Sequence, residues 1–376
     1  MKRIEKAQKL RRKSLTRWGQ IGSLQEDCLR KPALMCGAST PNKTKTKMKT
    51  TLTKAAAAGL TALVIGNAAA QESVSKPVGY ETLALTSGFN YVGLRLHEAT
   101  LASGEAADVV GTTVTLPDGL GASLVPGAVH IFEVTSGDAA GAVTIFTPAD
   151  NSDTVTLADD LSDNFFGGDT FSIRPSATLA SVFGADNSAG LDAGFFAPGG
   201  DQIWIPEGAG FVKYYYDSGS ATWANFETGA AVDAGSIPLV YTDGFIVVDT
   251  GETEDLVISG SVKLGATSLA LTGSGSFNYF SSIYPVGATL ASFFGASNES
   301  GLNGGFFAPG GDQIWTPVAA GFEKFYYDDG LATWASFDTG VAVDPTTVEL
   351  PSGFIIVNDA TDNPVLGSAP SFYADL

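Results

Sequence analysis

The sequence predicts an all-β protein of antiparallel sandwich-like or barrel-like units, with an internal tandem duplication and a disordered N-terminal leader. Short apolar segments alternate with period two, and Gly, Asp, Asn and Pro residues lie between them. An aromatic-rich unit also occurs twice. Short alternating strands with frequent turn residues are typical of sandwiches and barrels, and no long helical period competes with them.

Six segments are the clearest predicted strands, because they alternate or are rich in β-branched and aromatic residues. They cover residues 129–134, 143–146, 154–157, 170–173, 245–248 and 354–357. Two short helices are predicted over residues 177–183 and 288–294. Each follows a proline-containing stretch and ends at a glycine, as helix boundaries commonly do.

The duplication is a gapless alignment of residues 177–233 with residues 288–344, in which 41 of 57 positions are identical. A partial third echo relates residues 83–103 to residues 269–292. From these recurrences we predict three parts of the mature chain. They are an N-terminal β-rich segment over 71–174, a first aromatic repeat unit over 175–258, and a lead segment plus second aromatic repeat unit over 259–376.

A hairpin is predicted inside each repeat unit. In the first copy the run 213–216 pairs with the run 221–223, and we expect Gly219 in the loop to supply the positive φ that a three-residue hairpin turn needs. Period two puts Tyr214 and Tyr216 on one face of the strand and the tyrosine between them on the other.

The leader is predicted to contain a signal peptide at residues 48–70. A short basic region precedes the apolar run 55–66, and small residues follow at a cleavage position. The apolar run is too short to span a membrane, so we expect the mature chain to begin at Gln71. The basic extension 1–47 has two open interpretations. Either the start is mis-set and translation begins at Met48, or the leader is unusually long.

The net charge of the chain changes sign at the predicted cleavage position. Residues 1–70 hold 15 of the 21 Lys and Arg residues and three of the 40 Asp and Glu residues, a net of +12. Residues 71–376 hold the other six Lys and Arg residues and the other 37 Asp and Glu residues, a net of −31. Binding to nucleic acid needs clusters of Lys and Arg, so we expect no nucleic-acid partner. The acidity indicates either solubility at high ionic strength or calcium binding.

Both cysteines, Cys28 and Cys36, precede the predicted cleavage position. The mature chain therefore lacks disulfides, thiolate metal ligands and a cysteine nucleophile. It also has no later apolar stretch of membrane-spanning length, which predicts a mature chain without a transmembrane segment.

Histidine is scarce, whereas carboxylates are abundant enough that a glycosidase-like acid pair is conceivable. The chain has two histidines, His97 and His130, and neither lies in the repeat. His130 lies in an alternating segment, which indicates a strand histidine with a hydrogen-bond partner. Asp201 and Asp312 occupy equivalent positions, so a carboxylate-pair hydrolase would need a pseudo-twofold that brings the copies face to face. The run 197–201 (Ala-Pro-Gly-Gly-Asp) is predicted to be a turn, where aspartate is commonly a turn-former. We expect a non-enzymatic protein.

No cofactor is predicted, and calcium is the metal that the composition favours. Oxygen-rich loops at 150–153, 159–160, 186–187 and 358–363 could supply hard ligands. None of them matches the EF-hand loop or the glycine-rich nonapeptide repeat. Structural calcium is therefore an expectation without assigned ligands.

Four of the five tryptophans are paired across the two copies. Exposed on one face, they would stack on sugar rings and give two equivalent glycan sites with avidity. The alternative, which we favour, is that they fill the core of each unit, because tryptophan is largely buried on average. The candidate ligand-binding residues are Trp204, Trp223, Trp315, Trp334, Asp201 and Asp312.

Several of these pieces resemble an uncharacterised family of exported, paralogous, β-rich repeat proteins of Verrucomicrobia-type bacteria. The pieces that carry the resemblance are 168–175, 177–184, 201–204, 215–223 and 244–248. The resemblance implies export and a β-rich build, and it brings no established activity or site. Some exported proteins of such bacteria end in a sorting tail with an apolar helix and a basic cluster, and residues 368–376 have neither.

Together these observations favour an exported, non-enzymatic β-repeat protein with a structural or adhesive role. We expect it in the periplasm, at the cell surface or outside a Gram-negative-type bacterium, with glycans or a second copy of itself as partner. The alternative is a carbohydrate-binding protein that uses the paired aromatic residues. A carboxylate-pair hydrolase is the third hypothesis.

Overall fold

The computed structural model describes residues 77–195, 199–251, 254–273, 275–306, 311–359 and 364–376. The predicted leader, its signal peptide, both cysteines and the cleavage position lie outside these residues. Parts of the predicted turn at 197–201 and of the oxygen-rich loop at 358–363 also lie outside them.

Antiparallel strands dominate the described residues, which confirms the predicted all-β class. All six segments predicted as strands are strands, and their bounds differ from the predicted ones by at most two residues. The strands are β1 (Val78–Leu85), β2 (Gly88–Gly93), β3 (Ala102–Glu105), β4 (Asp108–Val110), β5 (Thr113–Thr115), β6 (His130–Val134), β7 (Val143–Phe146), β8 (Thr154–Thr156), β9 (Thr170–Pro175), β10 (Ala177–Thr178), β11 (Gln202–Glu207), β12 (Gly210–Asp217), β13 (Thr222–Asn225), β14 (Pro238–Leu239), β15 (Gly244–Asp249), β16 (Glu254–Ser261), β17 (Thr267–Ala270), β18 (Phe277–Ser281), β19 (Gln313–Val318), β20 (Gly321–Asp328), β21 (Thr333–Ser336), β22 (Gly353–Val357) and β23 (Pro364–Gly367). The α-helices are α1 (Leu179–Phe183) and α2 (Leu290–Phe294), and 3-10 helices cover Leu120–Ser123, Ala234–Ser236 and Ser371–Asp375.

Each copy of the repeat builds a five-stranded antiparallel sheet. The first has the strand order β13-β12-β11-β15-β2, and the second has the equivalent order β21-β20-β19-β22-β18. In each sheet four strands come from the repeat unit, and the edge strand comes from the segment before that unit. β2 lies in the N-terminal β-rich segment, and β18 lies in the lead segment of the last part. The sequence echo between residues 89–91 and 277–279 is therefore structural, because both lie in equivalent edge strands.

Strand pairing extends the duplication beyond the aligned residues. β1 pairs with β16, and β17 pairs with β23, so a strand before each sheet pairs with a strand after it. We call residues 78–101 together with 176–261 the first half, and residues 262–376 the second half. This grouping differs from the predicted parts, because β2 lies in 71–174 and completes the sheet of the first repeat.

Residues 102–175, which we call the insert, interrupt the first half. They form a four-stranded sheet, β3-β9-β6-β7, and a three-stranded sheet, β4-β5-β8, around their own apolar cluster. The same pentapeptide, Ala-Thr-Leu-Ala-Ser, occurs at both borders of the insert, at 99–103 and 177–181. The second half contains it once, at 288–292, with the edge strand and the helix adjacent in sequence.

The two helices begin at the third residue of this pentapeptide because the second residue caps them. The Thr178 hydroxyl accepts a hydrogen bond from the backbone of Ser181, and the Ser181 hydroxyl accepts one from the backbone of Thr178. Thr289 and Ser292 repeat this capping box. The predicted helices are confirmed, and they begin two residues later than predicted.

Both predicted hairpins are confirmed, between β12 and β13 and between β20 and β21. The predicted conformation of the loop is wrong. The positive φ belongs to Ala221, at 51°, and in the second copy to Ala332, at 49°. Gly219 instead leaves room for the Phe195 ring, because a Cβ there would lie 2.8 Å from a ring carbon of Phe195.

The halves meet through reciprocal backbone contacts, and one apolar cluster runs through both of them. Two glycines permit this close approach of the backbones of the two halves. A Cβ on Gly244 would lie 2.8 Å from the carbonyl oxygen of Phe280, and one on the equivalent Gly353 would lie 2.7 Å from the backbone nitrogen of Val92. Reciprocal contacts between equivalent positions are those that a twofold axis produces, so the halves are related by a pseudo-twofold.

Candidate functional site

The two faces of each repeated sheet carry different tryptophans. Trp223 and Trp334 lie on the inner face, 1% and 0% exposed. Each donates a hydrogen bond from its indole nitrogen to the glycine carbonyl that follows α1 or α2. Trp204 and Trp315 lie on the outer face and are half-buried. The structure thus places one pair of the candidate tryptophans in the core and the other pair at the surface.

The tyrosine run of β12 follows the predicted alternation. Tyr214 and Tyr216 pack in or against the core cluster. Tyr215 lies on the outer face, where its ring centroid is 6.1 Å from that of Phe226.

Eight aromatic residues line the outer face as two ladders of four rings. In the first ladder the ring centroids of Phe89 and Trp204 are 5.5 Å apart, those of Trp204 and Phe211 5.7 Å, and those of Phe211 and Tyr279 5.0 Å. The last contact crosses into the second half. We call the whole set the aromatic stripe, and it consists of Phe89, Trp204, Phe211, Tyr279, Tyr91, Phe322, Trp315 and Phe277.

The second ladder repeats the first. Phe277 and Trp315 are 5.3 Å apart, Trp315 and Phe322 5.6 Å, and Phe322 and Tyr91 5.1 Å. Tyr91 belongs to the first half, so each ladder ends on a tyrosine of the other half. Burial raises the pKa of Tyr91, and the nearby Tyr279 raises it further. The two ladders therefore meet near the pseudo-twofold axis.

A lysine lies over the tryptophan of each ladder. Nζ of Lys213 is 4.3 Å from the ring centroid of Trp204, and Nζ of Lys324 is 4.4 Å from that of Trp315. Each indole nitrogen donates a 2.9 Å hydrogen bond to the glutamine two residues earlier. The other basic residues in the described part of the chain form ion pairs, and they are Arg95, Arg174 and Lys263.

The candidate aspartates are buried in the loops that precede the central strands. Asp201 and Asp312 are each 2% exposed. The Asp201 carboxylate accepts hydrogen bonds from the backbone nitrogens of Asp192, at 2.8 Å, and Thr250, at 2.7 Å. Asp312 accepts two equivalent bonds in its own half, at 2.7 and 3.0 Å. These carboxylates join loop segments, and they accept their hydrogen bonds from loop residues rather than from stripe residues.

A second polar site lies where the insert meets both halves. Glu133 on β6 pairs with Arg174 on β9, with 3.1 Å between Oε2 and Nη2, and with Lys263. The Tyr241 hydroxyl donates to the same Oε2 at 3.3 Å, and the ring of His97 lies 4.3 Å from the ring of Tyr241. We call these five residues the ionic cluster. None is more than 7% exposed.

Burial governs how the ionic cluster titrates. It lowers the pKa of His97 well below its usual value, and the positive charges of Arg174 and Lys263 lower it further. Burial also lowers the pKa of Lys263, an effect that Glu133 opposes. It raises the pKa of Tyr241 well above its usual value, and the Glu133 carboxylate adds to this.

Sequence reasoning did not bring these five residues together. They are spread from His97 to Lys263 and share no spacing. One local signal was available, because Glu133 and Arg174 are charged residues inside short apolar strands. Charged residues in such positions are seldom buried unless paired.

His130 has the structural role that its strand position indicated. It is fully buried, its Nδ1 lies 2.9 Å from the carbonyl oxygen of Ala128, and its ring stacks on Phe146. The prediction of a strand histidine with a hydrogen-bond partner is confirmed.

Within the described ranges, no group of three or more His, Cys, Asp or Glu side chains is placed to hold a metal ion. Loop carboxylates accept backbone hydrogen bonds instead. Asp153, for example, accepts from the backbone nitrogens of Gly119 and Gly121 at 2.7 and 2.6 Å. Structural calcium stays a prediction.

No family model, curated protein or solved structure matches this chain. In the part of the chain that the structure describes, no helix is long and apolar enough to cross a membrane.

Proposed function

We propose that this chain is an exported, non-enzymatic adhesive protein that binds polysaccharides through the aromatic stripe. The observation that carries the proposal is the equivalent placement of Trp204 and Trp315 on the outer face of the two sheets. Trp223 and Trp334, by contrast, lie in the core.

Each end of the stripe offers a platform for a sugar ring. Phe89 and Phe277 are 59% and 51% exposed, and each packs edge to face against a half-buried tryptophan. Aromatic side chains provide a large apolar surface and lose little conformational entropy on binding. Exposed apolar patches rimmed by polar residues are typical of ligand-binding surfaces.

The two lysines add polar contacts to the platforms. An ammonium group can donate three hydrogen bonds, so Lys213 and Lys324 have donors for sugar hydroxyls. The cation–π contact with the indole ring favours one position of each ammonium before ligand arrives.

The pseudo-twofold favours a polymer over a free sugar. Two equivalent platforms on one body can engage one long glycan together, and linked sites of this kind gain about 10²–10⁴ in apparent affinity. The signal peptide predicted at residues 48–70 supports a location where such polymers are met. The net charge of −31 over residues 71–376 favours solubility there.

A glycan array and pull-down on insoluble polysaccharides test the proposal with the full chain. The informative variant is Trp204→Ala/Trp315→Ala. Its matched control is Tyr80→Ala/Val257→Ala, which removes two side chains that are 80% and 57% exposed and lie outside the stripe. We expect the wild type and the control to be retained on the same polysaccharides, and the double tryptophan variant to lose at least about 100-fold in affinity.

Retention of a folded double tryptophan variant would contradict the proposal. A wild-type chain that binds no glycan and self-associates in sedimentation experiments would favour a structural role instead. Release of reducing sugar from a polysaccharide would favour the hydrolase hypothesis.

A further inference from the structure

The ionic cluster holds one more positive charge than its own carboxylate balances. Arg174 and Lys263 both pair with Glu133, and no other carboxylate among the described residues pairs with either cation. His97 and Tyr241 add no charge, because the lowered pKa of the histidine and the raised pKa of the tyrosine leave both neutral at neutral pH. The cluster therefore has a net charge of +1.

Burial makes this imbalance costly. The side chains of Lys263 and Arg174 are 2% and 9% exposed. Buried charges are stable when they are paired and their hydrogen-bonding groups are satisfied. Nε of Arg174 has no hydrogen-bond partner, and the five guanidinium and three ammonium donors exceed what Glu133 can accept.

A cavity of about 430 Å³ adjoins the cluster. Glu133, Arg174 and Lys263 line it together with the hydroxyl-bearing residues Thr100 and Ser172, and the chain at 261–266 forms another part of its wall. The cavity thus combines excess positive charge with hydroxyl and apolar surface. It is lined by residues of the insert and of both halves, and none of them belongs to the aromatic stripe.

We propose that this cavity binds a small organic acid through its carboxylate, with Arg174 and Lys263 as the recognition residues. One carboxylate balances the net charge of the cluster and accepts hydrogen bonds from the two cationic side chains that line the cavity. A dianion such as sulfate would exceed that balance and would lie beside the negative charge of Glu133. The cavity volume leaves room for a body about the size of a monosaccharide, which favours a sugar acid.

Thermal unfolding of the full chain at constant ionic strength tests the proposal, with sodium glucuronate, acetate, glucose and sulfate as probes. A ligand that binds the folded chain alone raises the unfolding temperature in a saturable way. We expect glucuronate to do so, and glucose and sulfate to have no such effect. A saturable shift with acetate as well would show that the carboxylate is sufficient, and a larger shift with glucuronate would show that the cavity also holds the sugar ring.

Glu133→Gln provides a gain of affinity as the second readout. It removes the like charge beside the ligand, so we expect glucuronate to bind at least about tenfold more tightly. Lys263→Met should abolish the shift, and Arg95→Met, which removes a cation outside both the ionic cluster and the aromatic stripe, should leave it unchanged.

The absence of a saturable shift with glucuronate in both the wild type and Glu133→Gln would overturn the proposal. Equal shifts with glucose or sulfate would overturn it too, as would weaker binding by Glu133→Gln. If Glu133→Gln or Lys263→Met fails to fold, the four probes on the wild-type chain decide the question.

Discussion

The inner and outer faces of the repeated sheets use the same residue types for different purposes. On the inner face, Trp223 is buried against α1 and bonded to the carbonyl that follows the helix. On the outer face, Trp204 packs against other rings of the stripe and a lysine. The inner tryptophan holds the helix on the sheet, and the outer one is partly exposed to solvent. Burial, and not residue type, separates a structural aromatic residue from a candidate binding residue.

The largest expected effect comes from truncating the inner face. Trp223→Ala removes a fully buried ring and its hydrogen bond, so we expect a loss of about 3–5 kcal/mol in the free energy of unfolding. Trp204→Ala removes a half-buried ring and should cost about 1 kcal/mol. Urea unfolding of both variants measures the difference.

The second half provides an internal repeat of that test. Trp334→Ala and Trp315→Ala should show the same contrast, because their burial matches that of the first pair. Equal losses for an inner and an outer tryptophan would contradict the division of the two faces.

A smaller loss of stability is expected at the seam, by which we mean the backbone contacts of Gly244 and Gly353 between the two halves. This seam brings the two ladders together. Gly244→Ala places a methyl group 2.8 Å from the carbonyl oxygen of Phe280, and this overpacking should cost about 1–3 kcal/mol. Gly210→Ala is the matched control in the same sheet, because its added Cβ would meet nothing within 4 Å. Similar stabilities of the two variants in urea would show that the seam is not tightly packed.

The ionic cluster gives the smallest expected effect, and it is pH-dependent. Because the pKa of His97 is lowered in the folded chain, the unfolded chain binds more protons below pH 6.5, and stability falls as the pH falls. The slope should approach about 1.4 kcal/mol per pH unit. His97→Gln should flatten the slope between pH 6.5 and 5 in chemical denaturation. His130→Gln should flatten it less, because the pKa of His130 is lowered to a smaller extent. A slope that His97→Gln leaves unchanged would argue against a buried, neutral histidine.

Local patterns were sufficient for the six predicted strands, the two helices and the hairpins, and they did not predict strands such as β1 and β16. Alternation located the strand that contains His130, and the proline and glycine at the ends of 177–183 located α1. The hairpin loop was placed correctly, but Ala221 and not Gly219 has the positive φ. Sequence reasoning assigned the glycine to backbone conformation, whereas Gly219 makes space for the Phe195 ring.

The repeated pentapeptide shows where local sequence fails. At 177–181 the residues Ala-Thr-Leu-Ala-Ser cap and begin a helix, whereas at 99–103 the same residues lead into β3, which pairs with β9 of the insert. Identical propensities therefore give different structures, because Ala102 and Ser103 pair with β9, whereas the equivalent Ala180 and Ser181 lie in α1. Tertiary pairing overrides intrinsic preference in such cases.

The candidate sites depended on information that the sequence does not hold locally. Ile203 and Trp204 are both apolar, so alternation alone does not say which of them faces the core. The ionic cluster joins residues from the insert and both halves. His97 and Lys263 are far apart in sequence, so no local pattern predicts that the five side chains meet.

The central claim is that Trp204 and Trp315 are equivalent parts of one glycan-binding surface. The most direct test is the affinity of the full chain for a polysaccharide that it retains, measured by affinity electrophoresis for the wild type, Trp204→Ala and Trp315→Ala. We expect the two variants to lose affinity by the same factor, to within about twofold, while both stay folded. A loss confined to one variant, or no loss in either, would contradict the claim.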